Sequence, residues 1–251
     1  MNVTENMSEN ITDKDIQNKK DKQIEREKKL QKAFEPWMIQ IVPGLILGNA
    51  SSSWNTEMLV NNRVKSIISL SQCPWGEWSQ TRTTVPRHHH KMVRAVDTST
   101  QDLLIHMSDT RDFIDKRASS ALLSVSSLPV DDELVIDDEP AADYTPEAIL
   151  VHCDFGISRT PTIIIAYIMR KLRIPPMEAL EFIKSKQKVK PNANFTRQLQ
   201  VWDEVGYQVW EDEEKTVPKL PYKAFLEDRA AFLKENWPPG ENPFASLTLL
   251  N

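Results

Sequence analysis

Cysteine is scarce in this chain: its 251 residues include only Cys73 and Cys153. Two cysteines cannot supply the disulfide framework of a small secreted domain, which favours a reducing compartment. The first residues also lack the basic-then-apolar layout of a signal peptide. We therefore expect a cytoplasmic protein, a nuclear protein, or one present in both compartments.

Long apolar runs and an excess of basic charge are missing too. The most hydrophobic stretch, residues 161–169, is shorter than the run of about 18 residues that a membrane helix needs. The chain has 31 basic and 36 acidic residues, whereas generic nucleic-acid binding requires a basic excess. We expect neither a membrane nor a nucleic acid as a partner, and the sequence leaves the oligomeric state open.

Composition divides the chain into three regions. Residues 1–34 are mostly charged and polar, which predicts an arm that is either disordered or a solvated helix. Residues 35–207 have the pattern of a folded domain, and residues 208–251 form an accessory tail with a short helix. Residues 119–147 are acidic and contain no Lys or Arg, which predicts a surface insertion that projects away or acts as a mobile flap.

Strand-like and helix-like segments alternate within the domain. Residues 66–70 and 91–96 predict strands, and residues 103–114 have helical spacing. Residues 148–151 are apolar without interruption, as in a strand buried on both faces. Residues 160–172 are apolar almost all round, which predicts a buried helix. We predict an α/β fold with a mainly parallel central sheet flanked by helices.

The segment HCDFGISRT, residues 152–160, joins that strand to that helix. Its N–H groups can point into a cup, and the helix N-terminus adds positive potential for an anion. In this field the thiol of Cys153 loses its proton readily and can attack phosphorus, giving a phosphocysteine. Arg159 can grip two phosphate oxygens with its planar guanidinium. These two residues predict a phosphate site with its own nucleophile.

Blander interpretations compete with this one. Cys153 could instead be a structural cysteine and Arg159 a surface arginine. This alternative is disfavoured, because the strand, the glycine and the helix all stand at the positions that a phosphate cup needs.

His88, His89 and His90 form a triplet whose first and last members would share one face of a strand and could hold a metal. No Cys or carboxylate stands beside them at ligand spacing. We predict polar strand residues there, and the chemistry of the cup requires neither a metal nor a cofactor.

Residues 152–160 match the signature of the cysteine-dependent protein tyrosine phosphatases. That signature is a histidine and a cysteine, then five residues, then an arginine and a threonine. The chain most resembles their dual-specificity branch, from residues 41–48 to residues 191–199, through the run at residues 166–169. In the last run, Asn194 can cap a helix. The resemblance implies the fold of that branch. It also implies hydrolysis of phosphotyrosine and phosphoserine or phosphothreonine in phosphorylated protein substrates, through a phosphocysteine and without a cofactor.

The resemblance also implies roles for neighbouring residues. His152 would shape the cup and help Cys153 lose its proton, and Thr160 would offer its hydroxyl to the departing thiolate. A hydrogen-bonded histidine at a strand end and an ordinary helix threonine are the alternatives. The loop would bind phosphate together with Arg159, through Asp154, Phe155, Gly156, Ile157 and Ser158. We expect the side chain of Asp154 to point outward.

A general acid is also required, and the resemblance implies an Asp in a loop that follows an upstream strand. Asp97 fits, because it ends the predicted strand and precedes a polar turn and a helix. The same carboxylate would then activate water. Asp102 and Asp109 compete for the role, but they better suit the first turn and the surface of that helix. The acidic insertion accounts for the long spacing between Asp97 and Cys153.

Two other functions stay open. A phosphatase of non-protein phosphomonoesters, such as RNA 5′-phosphates, phosphoinositides or phosphoglucans, could use the same cup. A non-catalytic phospho-binding module could also contain it. The loop has no Lys for a polyphosphorylated lipid, and the presence of both Cys153 and Asp97 disfavours a mere binder. Whether Cys73 could form a disulfide with oxidised Cys153 depends on a distance that the sequence does not give.

Overall fold

The structure is a computed structural model that describes residues 13–72, 81–128 and 146–236. It divides into two units, residues 1–35 and residues 36–251. The first unit contains helix α1 (Asp13–Ala33), which occupies much of the predicted charged arm. Cys73 and the centre of the acidic insertion lie outside the described residues, so the disulfide question and the flap hypothesis stay as they were.

The described part of the second unit is built on a five-stranded sheet with the order β1-β2-β5-β3-β4. The strands are β1 (Met38–Val42), β2 (Leu45–Asn49), β3 (Val64–Ser71), β4 (His90–Arg94) and β5 (Ala148–Cys153). β1 and β2 form an antiparallel hairpin, whose turn uses Gly44 at a φ of 79°. The other neighbouring pairs are parallel. The predicted mainly parallel sheet is confirmed.

Helices flank this sheet, as predicted. They are α2 (Ala50–Ser53), α3 (Thr56–Asn61), α4 (Leu104–Arg117), α5 (Ser120–Ser124), α6 (Arg159–Leu172), α7 (Pro176–Lys186), α8 (Ala193–Glu204) and α9 (Leu220–Asn236). A 3₁₀ turn, Arg87–His89, leads into β4. Within the described ranges, no helix combines the length and the apolar character needed to cross a membrane.

Strand β5 separates two hydrophobic cores. Ile149, Val151 and Cys153 belong to the larger core, together with the apolar residues of α6. Leu150 belongs to a smaller core on the other side, with residues of α3 and β3. Because side chains alternate along a strand, His152 lies on the face of Leu150, opposite Cys153. All six residues of β5 are buried, as predicted for a strand covered on both faces.

The C-terminal helix α9 contributes to the larger core. Tyr222 and Phe225 are both buried in it. The hydroxyl of Tyr222 donates to Oδ2 of Asp102 at 2.8 Å. Nearby, Nε of Arg229 donates to the carbonyl oxygen of Thr100 at 2.5 Å. The predicted tail therefore supports the segment that connects β4 to α4.

Replacing Tyr222 with phenylalanine should destabilise the domain by about 1–3 kcal/mol, because the buried carboxylate of Asp102 loses a hydrogen-bond donor. Urea unfolding followed by circular dichroism measures this change. Leu220→Ala is the control, since Leu220 starts the same helix with 79% of its surface exposed. A Tyr222→Phe protein as stable as the control would show that this bond contributes nothing.

Candidate active site

The loop between β5 and α6 brings the predicted nucleophile and the predicted phosphate clamp together. Cys153, the last residue of β5, is 2% exposed, and Arg159, the first residue of α6, is 4% exposed. Between them, Gly156 has a φ of 71°, and its N–H donates to Sγ of Cys153 at 3.3 Å. An N–H dipole aimed at sulfur stabilises the thiolate relative to the neutral thiol.

The N-terminus of α6 is left open towards this loop. Ser158 occupies the N-cap position, but its side chain makes no capping hydrogen bond to the helix. Its hydroxyl donates instead to Oδ1 of Asp97 at 2.9 Å. The first N–H groups of a helix have no partners within the helix, and they suit an anion such as phosphate.

The guanidinium of Arg159 is fixed on one side and has donors left on the other. Nη1 donates to the carbonyl oxygens of Leu70 and Ala95, at 3.0 Å each. Nη2 donates to Oδ2 of Asp154 at 2.6 Å. These bonds use three of the five N–H donors of arginine. Nε is buried and has no partner among the described residues, so Nε and one Nη2 hydrogen remain for a phosphate.

Charge keeps Arg159 protonated in this buried position. Burial alone would lower its pKa, but the negative charges of Cys153, Asp154 and Asp97 outweigh burial and raise the pKa above its ordinary value. The expected outward orientation of Asp154 is wrong. Its carboxylate turns inward because the buried guanidinium beside it requires a counter-charge.

Asp97 lies at the same pocket, held from two sides. Oδ1 accepts hydrogen bonds from the hydroxyl of Ser158 and from Nδ2 of Asn192, the latter at 2.7 Å. Asn192 also accepts from the backbone N–H of Phe195 at 2.9 Å and so caps α8. The cap is therefore Asn192 and not Asn194, whose side chain donates to backbone carbonyls after Asp97.

These groups surround one pocket of about 300 Å³. The lining residues come from the loop, from the segment after β4 and from the segment before α8: Asp97, Cys153, Phe155, Ile157, Ser158, Arg159, Lys190 and Asn192. A nucleophile, a cation and a carboxylate thus share a single pocket. Cys153 can attack a bound phosphate, Arg159 can hold it, and Asp97 can exchange a proton with it.

His152 lies behind the loop and is fully buried. Its Nε2 is 2.5 Å from the hydroxyl of Ser69. Burial, followed by the charges of His90 and Arg159, lowers the pKa of His152 to about 3. Since this pKa lies far below 7, the imidazole is neutral at physiological pH.

The remaining predicted residues divide into two groups. Thr160 is buried, and its hydroxyl has no partner among the described residues, so it is available within the loop. Asp102 and Asp109 are engaged elsewhere, with Tyr222 and Lys215, and neither lines the pocket. Asp97 follows β4 by three residues, since the strand ends at Arg94 rather than at residue 96.

The histidine triplet divides between two elements. His88 and His89 lie in the 3₁₀ turn, and His90 begins β4, so the prediction of three strand residues is wrong for the first two. The imidazole Nδ1 of His89 lies 3.0 Å from the carbonyl oxygen of Lys65. Within the ranges the structure describes, no group of three or more His, Cys, Asp or Glu side chains is arranged to hold a metal ion.

Comparison with known proteins gives the family. The family model described as "Dual specificity phosphatase, catalytic domain" matches residues 140–205. Dual specificity protein phosphatase 1 of Arabidopsis thaliana is 31% identical over 162 residues, covering 64% of this chain and 66% of that protein. Dual specificity protein phosphatase MPK-4 of Drosophila melanogaster is 27% identical over 171 residues. The chain belongs to the dual-specificity phosphatase family.

Solved structures of this family share the fold. Human DUSP28 superposes with a TM-score of 0.51 at 22% identity, covering 68% of this chain and 95% of that chain. DUSP15 superposes with a TM-score of 0.50 at 23% identity, covering 76% of this chain and 95% of that chain. Among curated dual-specificity phosphatases, the chain spans 37% of the Drosophila protein and 34% of the rat dual specificity protein phosphatase 5.

Two pocket residues escaped the sequence analysis. Asn192 lies in the run PNANFTRQL that carried part of the resemblance, but nothing local in that run indicates a bond to Asp97, 95 residues away. Lys190 lies just before it, and its N–H donates to the carbonyl oxygen of Ile157 at 2.8 Å. The position of Lys190 and Asn192 just before a predicted helix was the feature of the sequence that could have indicated them.

Gly156→Ala should disrupt the loop. An added Cβ would lie 2.6 Å from the carbonyl oxygen of Gly48 and 2.6 Å from the Trp37 ring, at a φ that side chains rarely adopt. Gly206→Ala is a matched control, since Gly206 also has a positive φ but has no atom within 4 Å of the added Cβ. Both should lose about 1 kcal/mol from the backbone conformation, and Gly156→Ala should lose distinctly more in thermal unfolding. Equal losses would contradict the close approach.

Proposed function

We propose that this protein is a phosphatase that hydrolyses phosphotyrosine and phosphoserine or phosphothreonine in proteins through a phosphocysteine. The observation that carries the proposal is the single pocket lined by Cys153, Arg159 and Asp97. Membership of the dual-specificity phosphatase family supports it, because relatives such as the Arabidopsis protein are named protein phosphatases.

Substrate binding relies on groups that lack other partners. The uncapped N-terminus of α6 supplies N–H groups, and Arg159 supplies Nε and one Nη2 hydrogen. Because the bonds to Leu70 and Ala95 fix the guanidinium before substrate arrives, little side-chain entropy is lost on binding. A phosphate held this way has its phosphorus next to Sγ of Cys153.

In the first step the thiolate of Cys153 forms a bond to phosphorus while the bond to the leaving oxygen breaks. Asp97, protonated, gives its proton to that oxygen so that a neutral hydroxyl leaves. Arg159 stabilises the charge that builds on the other phosphate oxygens. Since both hydrogen bonds to Asp97 reach Oδ1, the proton is assigned to Oδ2.

In the second step water attacks the phosphocysteine. The carboxylate of Asp97 takes a proton from the water as the new oxygen–phosphorus bond forms, and the sulfur–phosphorus bond breaks. Thr160 offers its buried hydroxyl to the departing thiolate. Inorganic phosphate leaves, which returns Cys153 to the thiolate and Asp97 to the acid form.

The pocket mouth favours a protein side chain as the substrate. Phe155 and Ile157 flank it and are 38% and 43% exposed. Such apolar walls suit the ring of phosphotyrosine or the methyl group of phosphothreonine, whereas a sugar or nucleotide would leave its hydroxyl groups facing apolar surface. Lys190 adds one exposed positive charge at the rim.

Cys153→Ser should abolish turnover of a generic aryl phosphate, with a loss of more than about a thousandfold. The pocket keeps Arg159 and the helix N-terminus, so the variant should still retain phosphoproteins from a cell lysate. If the wild-type protein does not turn over the aryl phosphate, the proposal that it is an enzyme is wrong. If the variant recovers RNA, lipid or glycan in place of phosphoproteins, the proposal that its substrate is a protein is wrong.

Asp97→Asn should slow hydrolysis by about a hundredfold on substrates with poor leaving groups, because the amide cannot donate the required proton. The loss in kcat/KM should shrink on aryl phosphates whose leaving groups need no proton. Asp109→Asn is the control, since that carboxylate lies on the surface of α4 and pairs with Lys215. An equal loss on good and poor leaving groups would rule out Asp97 as the general acid.

A further inference from the structure

A second pocket lies next to the catalytic pocket and has a volume of about 340 Å³. We call it the α9 pocket, because α9 forms one of its walls. The match to the family ends at residue 205, and α9 begins only at Leu220. The pocket therefore depends on a part of the chain that the match does not include. The lining residues that matter below are Ser99, Thr100, Asn194, Arg197, Asp228 and Arg229.

Two segments of the chain line both pockets. Asp97 lines the catalytic pocket, and Ser99 and Thr100, the second and third residues after it, line the α9 pocket. In the same way Asn192 lines the catalytic pocket, and Asn194 lines the α9 pocket. An extended peptide advances about 3.4 Å per residue. A substrate whose phosphorylated residue occupies the catalytic pocket can therefore place a side chain two or three positions away in the α9 pocket.

Arg229 gives the α9 pocket a group that can bind an anion. Its side chain is half-buried, and its Nε donates to the carbonyl oxygen of Thr100 at 2.5 Å. The hydrogens on Nη1 and Nη2 have no hydrogen-bond partner among the described residues. The bond from Nε holds the guanidinium in place, so the edge formed by Nη1 and Nη2 can bind a carboxylate through two parallel hydrogen bonds.

The charges around the pocket also favour an anion. Arg197 and Asp228 form an ion pair, and the guanidinium of Arg197 lies over the ring of Phe225, 5.7 Å from its centroid. Among the described residues that line the pocket, two arginines and one aspartate are charged. Since the ion pair uses one arginine and the aspartate, the positive charge of Arg229 has no acidic counterpart in the lining.

An apolar ring lies beside this positive charge. Phe232 lines the same pocket and is 42% exposed. Methylene groups packed on such a ring are removed from water, which is favourable. A glutamate side chain has two methylene groups for the ring and a carboxylate for Arg229, so its chemistry fits both features of the pocket.

We propose that the α9 pocket binds a glutamate side chain of the phosphoprotein substrate, two or three positions from the phosphorylated residue. Arg229 binds the carboxylate and determines this preference. The inference rests on the proposed function, in which a phosphorylated side chain of a protein occupies the catalytic pocket.

The test measures binding rather than turnover. Fluorescent phosphotyrosine peptides carry a single glutamate at successive positions on either side of the phosphotyrosine, and matched peptides carry glutamine there. Their affinities for the full-length Cys153→Ser protein are measured by fluorescence anisotropy. On one side of the phosphotyrosine, glutamate two or three positions away should bind about three- to tenfold more tightly than glutamine. The preference should shrink as the salt concentration rises, because salt screens exposed charges.

Arg229→Gln, made in the same Cys153→Ser protein, should remove the preference and leave the affinity for the glutamine peptides within about twofold. If Arg229 were only structural, through its bond to Thr100, the variant would weaken binding of both peptides equally. Lys234→Gln is the matched control, because Lys234 is an exposed cation of the same helix that does not line the pocket. That variant should keep the preference.

Asp228→Asn tests the same pocket by the opposite change. It removes the acidic partner of Arg197 and should strengthen the preference for glutamate. The side chain of Asp228 is 60% exposed, so the substitution is mild and decides the question where Arg229→Gln does not fold.

Equal affinities for the glutamate and glutamine peptides at every position would overturn the inference. A preference that persists in folded Arg229→Gln protein would also overturn it. If Lys190→Gln removes that persistent preference, the carboxylate binds at the rim of the catalytic pocket instead. These outcomes are separable from a failure of the proposed function. Wild-type protein that turns over no aryl phosphate, while the glutamate preference is intact, would refute the activity and leave the α9 pocket as a binding site.

Discussion

Arg159 is a charged side chain in an almost fully buried position, where the ends of β3 and β4 meet the loop after β5. Its bonds reach the carbonyl oxygens of Leu70, near the end of β3, and Ala95, just after β4, and Asp154 supplies a counter-charge. A buried cation is tolerable only with such partners. One buried guanidinium therefore accounts for two features of the site. It binds the carbonyl oxygens at the strand ends, and it holds the carboxylate of Asp154 turned inward beside Cys153.

The second organising element is the start of α8. Asn192 bonds to Asp97 and caps the helix, Asn194 bonds to the carbonyls of Thr98 and Gln101, and buried Gln198 accepts from the N–H groups that begin α4. Three amide side chains on about two turns of one segment thus hold the loop that contains Asp97. The distance between Asp97 and Cys153 is therefore set by the packing of α8 rather than by the long stretch of chain between the two residues.

The sequence pattern was sufficient to predict those elements that depend on neighbouring residues alone. An uninterrupted apolar strand, a glycine and an apolar helix predicted β5, the loop and α6, and hence the placement of Cys153 and Arg159. The orientation of Asp154 was not predictable, because its partner is a charge buried by tertiary packing. The Ser69–His152 bond joins residues 83 positions apart, and no periodicity in the sequence indicates which polar side chains will meet across strands.

The folded unit continues through α9, beyond the point at which the match to the family ends. The family match ends at residue 205, yet the hydroxyl of Tyr222 and the guanidinium of Arg229 reach back to Asp102 and Thr100, inside the loop that carries Asp97. A fragment cut after α8 would expose the apolar surface beneath Tyr222 and Phe225 and leave a buried carboxylate without its phenol. Helix α9 belongs to the larger unit, residues 36–251, so we expect a fragment without it to be less stable than one that keeps it.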